Sequence, residues 1–141
     1  MFEGLPDRLS ALIADGRLRS LRAVQDEIKD DDPSSKDINL SKWCKAQPNF
    51  YIEDDEPIQH QVRNIMAQFQ NPKKKRGISG ADPFLIARAI LNGPNWYVVS
   101  SESPANGNAH KNPNIPFVCE QLKVKHIRFL DMLRIEGWRL R

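Results

Sequence analysis

Residues 80–93 read GADPFLIARAILNG, and residues 96–102 read WYVVSSE. In the first stretch Asp82 and Pro83 precede apolar residues at helical spacing and Gly93 follows them, which predicts a helix with an acidic N-cap, proline in its first turn and a glycine stop. The second stretch is a short apolar run that ends in polar residues, the pattern of a buried parallel strand. A helix that turns at glycine into such a strand is half of an α/β unit.

The same alternation continues towards the C-terminus. IPFVCEQLKV (115–124), opened by Pro116, predicts a helix, KHIRFL (125–130) a strand, and DMLRIEGW (131–138) a last helical turn with Asp131 as its cap. Strand, helix, strand, helix in succession predicts a parallel sheet covered on both faces.

Working towards the N-terminus, IQHQVRNIMAQF (58–69) places Ile58, Val62, Ile65, Met66 and Phe69 along one helical stripe. Phe50, Tyr51 and Ile52 in NFYIEDDEP favour a strand closed by Pro57, and LSKWCKAQ is a short helix around Trp43. PDRLSALIADG (6–16) predicts a first helix through Leu9, Leu12 and Ile13, closed by Gly16. RLRSLRAVQDEIKDDD (17–32) offers an extended piece ending at Ser20, then a helix carrying Leu21, Val24 and Ile28, with Glu27 near its end. The turn-rich segments 30–39 and 103–114 and the basic run PKKKRGISG (72–80) read as loops.

The whole chain, 141 residues, is expected to be one domain, 1–141, large enough to fold around its own core. Lys and Arg total 21 against 18 Asp and Glu, an excess that permits a polyanionic partner without requiring one. Cys44 and Cys119 show no metal-ligand or disulfide spacing and read as core residues, while Trp43, Trp96 and Trp138 read as core residues or, where exposed, as platforms on which a base can stack. His60, His110 and His126 show no ligand spacing and are given no role. No run is apolar enough to cross a bilayer and the N-terminus lacks a signal-peptide pattern, so a cytoplasmic protein with no membrane partner is expected.

Ligands of open parallel sheets bind beyond the carboxyl ends of the strands. Glu102, at the end of VVSSE, occupies such a place; Asp82 reaches it only if the start of its helix bends over the sheet. Carboxylates that converge repel, and a hard divalent cation such as Mg²⁺ or Mn²⁺ relieves that repulsion. With Lys73, Lys74, Lys75 and Arg76 as phosphate contacts, the chemistry suggested is phosphodiester hydrolysis.

At these residues the sequence resembles the PIN-domain nucleases. GADPFLIARAI is similar to their Asp-led helix, VVSSE to the strand ending in their last metal-binding acid, SLRAVQDEI to their second acidic segment, and IPFVCEQLKVKHIRFLDMLRIEGW to one toxin-like branch. The resemblance extends from Leu9 onward. It implies a three-layer α/β/α sandwich around a parallel sheet and metal-site carboxylates at Glu27, Asp82 and Glu102, with Ser100 as a small hydroxyl beside the last acid. Glu27 adjoins Asp26, so that assignment can slip by one residue.

The resemblance further implies a Mg²⁺- or Mn²⁺-dependent ribonuclease acting on RNA, often the toxin paired with an antitoxin protein. The family's apolar first strand, which ends in an aspartate, has no counterpart before Pro6. A missing central strand and first acid are therefore expected, either because Met1 is a late start or because the strand has been lost. An open sheet could be closed by rearrangement, by a partner chain or by a homodimer. The alternative expectation is an inactive PIN-like module that binds RNA or a protein.

Overall fold

Short turns set by glycine and proline convert the apolar stripes into helices and strands at nearly the predicted places. A computed structural model describes residues 4–27, 43, 46, 47, 49–69, 80–103 and 113–137, with the side chain of Glu27 excepted. The chain is mixed α/β and divides into two units, one up to Asp54 and one from Asp55 onward.

In the first unit, helix α1 (Leu5–Ala14) buries Leu12 and Ile13. It stops where Gly16 adopts φ 75° and donates to the Ile13 carbonyl at 3.0 Å. The Arg19 guanidinium donates to the same Ile13 carbonyl at 2.6 Å, adding a second bond to an acceptor at the helix end. Strand β1 (Ser20–Leu21) pairs in parallel with β2 (Tyr51–Ile52), Ser20 opposite Tyr51, and Leu21 is buried. Helix α2 (Arg22–Glu27) leaves the carboxyl end of β1 directly. Leu21, read from sequence as part of this helix face, belongs to the strand.

In the second unit, α3 (Glu56–Phe69) starts where the Asp55 carboxylate accepts the Ile58 N–H at 3.1 Å. Ile58, Val62 and Ile65 are buried, while Met66 is 38% exposed. Met66 lies about 80° around the helix from Ile58, at the margin of the predicted stripe. Phe69 meets Phe117 edge-on at 6.2 Å. Helix α4 (Asp82–Asn92) packs on α3 and buries Pro83, Ile86, Ala87 and Ala89.

Gly93, at φ 103°, donates to the Ala89 carbonyl at 3.2 Å and accepts the Trp96 N–H at 3.3 Å. Strand β3 (Tyr97–Ser100) begins at once and runs parallel to β4 (Lys125–Arg128), Ser100 opposite Arg128. Helix α5 (Ile115–Gln121) connects them, capped by the Asn114 carboxamide, which accepts the Phe117 N–H at 3.1 Å. Helix α6 (Phe129–Ile135) closes the unit.

Two predicted helix starts move. Ala81, not Asp82, occupies the N-cap position of α4, so Asp82 is the first helical residue. Asp131 is not the N-cap of α6, which begins at Phe129; it lies one turn in, accepts the Arg128 N–H at 3.3 Å and pairs with Arg134 at 3.2 Å. The expected parallel sheet is present among the described residues as two parallel pairs, one in each unit. Among the described residues no helix is long and apolar enough to cross a membrane.

Candidate functional site at the end of β3

Alternation along the parallel pair puts Val98, Ser100, His126 and Arg128 on one face. Val98 is buried and carries the packing, while Arg128 is exposed at the carboxyl end. Between them, Ser100 Oγ meets His126 Nε2 at 2.6 Å, a diagonal contact across the strands.

The chain leaves β3 through Ser101 and Glu102, and local hydrogen bonds fix that exit. The Glu102 N–H donates to Ser100 Oγ at 3.3 Å. The Glu102 Oε2 atom then accepts the N–H of Ile115, the first residue of α5, at 2.9 Å. That amide is one of the donors a helix leaves unpaired, and a carboxylate there is favoured by the helix end. Asn114 closes the loop by donating to the Ser103 carbonyl at 2.9 Å.

The electrostatics follow from this packing. Burial lowers the His126 pKa from 6.5, and the negative charges of Glu102 and Asp131 oppose that shift only in part. A neutral ring can accept the Ser100 hydroxyl proton at Nε2 while Ser100 Oγ accepts the Glu102 amide. Burial pushes the Cys119 thiol up to about 12, with the Glu102 charge contributing. Cys119 is thus an inert core residue, as its spacing predicts.

Asp82 stands half-buried at the first position of α4 in the same unit as Glu102. Only Gly93 to Trp96 separate α4 from β3, and the two pack together.

Glu27 ends α2 in the other unit and its side chain lies outside the described residues, as do Lys73, Lys74, Lys75 and Arg76. Among the described residues no group of three or more His, Cys, Asp or Glu side chains is gathered for an ion. Asp82 and Glu102 nevertheless have the hard oxygen donors that Mg²⁺ or Mn²⁺ prefers, and the second Glu102 carboxylate oxygen has no protein partner among the described residues.

The carboxyl end of β2 in the first unit is also acidic. Arg22 pairs with Asp26 at 3.5 Å and with Glu53 at 3.8 Å. Asp54, half-buried behind them, accepts a hydrogen bond from the Ala23 backbone, yet burial and the charges of Glu53 and Asp26 raise its pKa above 3.8. The strand-end rule that selected Glu102 would also have selected Asp54. His126 was missed: its place on the face of Ser100 follows from the β3–β4 register, which ligand spacing does not capture.

Residues 1–140 match one family model, described as "Domain of unknown function (DUF4411)". No curated protein matches the chain, and no solved structure does.

Proposed function

We propose that this chain, which belongs to the DUF4411 family, is a metal-dependent ribonuclease of PIN type that hydrolyses phosphodiester bonds in RNA. The observation that carries the reading is the Glu102 carboxylate, held at the carboxyl end of a parallel strand by the first amide of α5. The proposal extends to the three-layer sandwich around a parallel sheet, to cytoplasmic action as a toxin, and to an antitoxin protein as the silencing partner.

Asp82 and Glu102 would hold Mg²⁺ or Mn²⁺. When bound, such an ion acidifies a water and offsets charge that develops on the phosphate oxygens. Glu102 is suited to a fixed role because one carboxylate oxygen is anchored and its own amide is tied to Ser100. Asp82 is suited because a carboxylate in the first turn is stabilised by the helix end. Arg128, exposed beside Ser100, has no ion pair among the described residues and can approach a phosphate.

Incubation with single-stranded RNA tests the proposal. The wild-type protein should cleave with Mn²⁺ and stop in EDTA, and Asp82→Asn should lose at least about 100-fold in rate, the upper range for weaker perturbations of metal sites. Equal rates for the two proteins, or cleavage that persists in EDTA, would sink the reading. RNA binding with no cleavage by either would favour the inactive binding module.

A further inference from the structure

We infer that His126 is a positioning residue that acts through Ser100 to aim the Glu102 carboxylate, an inference that rests on the nuclease reading for its purpose. Three contacts connect β4 to the start of α5 through the exit of β3: His126 Nε2 to Ser100 Oγ at 2.6 Å, Ser100 Oγ to the Glu102 amide at 3.3 Å, and Glu102 Oε2 to the Ile115 amide at 2.9 Å.

A serine hydroxyl rotates freely and bonds whichever neighbour suits it. Here the imidazole fixes that rotor and leaves a lone pair of Oγ for the Glu102 N–H. With its amide held, Glu102 leaves the strand in one direction, and its side chain spans to α5 with one oxygen committed. Without His126 the hydroxyl can turn away, the 3.3 Å contact weakens first, and the carboxylate loses its fixed origin. Groups that orient ligand-bearing side chains in this way commonly set metal affinity by 10- to 100-fold.

The Ile115 amide is a direct reporter of the string. As the first residue of α5 it has no partner within the helix, so its protection from hydrogen exchange depends on the Glu102 carboxylate. Exchange measured residue by residue, without metal, would compare wild type with His126→Phe, His126→Gln, Ser100→Ala, Ser100→Thr and Glu102→Ala.

Glu102→Ala should abolish the protection of Ile115. Ser100→Ala and His126→Phe should each lower it about tenfold, roughly the worth of one net hydrogen bond. Ser100→Thr and His126→Gln, which keep a hydroxyl and a nitrogen in place, should restore it. Amides in the middle of α3 and α4 should stay unchanged throughout.

Unchanged Ile115 protection in His126→Phe would overturn the inference, as would a uniform fall across the whole unit, which is the mark of a merely structural histidine. Calorimetry with Mn²⁺ separates this outcome from the fate of the nuclease reading. If the wild type binds no Mn²⁺ while the exchange pattern holds, the nuclease reading fails and the positioning stands. If Mn²⁺ binds equally well to wild type and His126→Phe while Ile115 protection is unchanged, the positioning fails alone.

Discussion

His126 and Asp54 illustrate how two half-buried groups answer acid in opposite senses. The folded-state pKa of His126 lies below 6.5, so as pH falls past that value the unfolded chain takes up the proton first and the folded state loses stability. Asp54 has a folded-state pKa above 3.8, so its unfavourable effect grows as pH rises from 3.8 to the raised value. The window of His126 opens at 6.5 and runs downward, whereas that of Asp54 opens at 3.8 and runs upward. Thermal unfolding followed between pH 7 and pH 5 should show a falling Tm, and the fall should be smaller in His126→Gln. An equally steep fall in that variant would assign the effect elsewhere. The type of each residue was plain in the sequence, but its role was not. His126 acquires its partner from a parallel register 26 positions away, which local spacing does not encode.

Helices and strands were legible where a stripe and a stop agreed. The run from Asp82 to Asn92 met both conditions, with Ile86 and Ala89 on the buried face and Gly93 at the end, and its bounds were read closely. The start of α6 was not legible, because β4 passes into it at Arg128 without a turn and the only conventional cap residue nearby, Asp131, lies a turn inside. Asp131 gave a true signal of a helix beginning at a false position. The reversal at Gly93 depends on a conformation that side chains disfavour, φ 103°, although no atom lies within 4 Å of where a Cβ would stand. Gly93→Ala should therefore cost about 1–3 kcal/mol through backbone strain alone. Chemical denaturation would measure it, and a cost near zero would show that the turn relaxes into an ordinary conformation.

Across the molecule, the alternating pattern correctly implied an α/β chain with parallel pairing, and β1–β2 and β3–β4 are both parallel. Which strands pair was not readable, since short apolar runs such as Tyr51–Ile52 and Tyr97–Ser100 carry no record of their neighbours. The strand-end rule did locate Glu102, and the amide of Ile115 explains why a carboxylate is stable there. Whether this carboxylate serves hydrolysis of RNA is tested by Mn²⁺-dependent cleavage with Glu102→Gln beside Asp131→Asn. Asp131 is the control, an acid engaged in capping and in a surface ion pair. Glu102→Gln should lose at least about 100-fold in rate while Asp131→Asn should cleave nearly as the wild type does. Cleavage by Glu102→Gln at the wild-type rate would contradict that role.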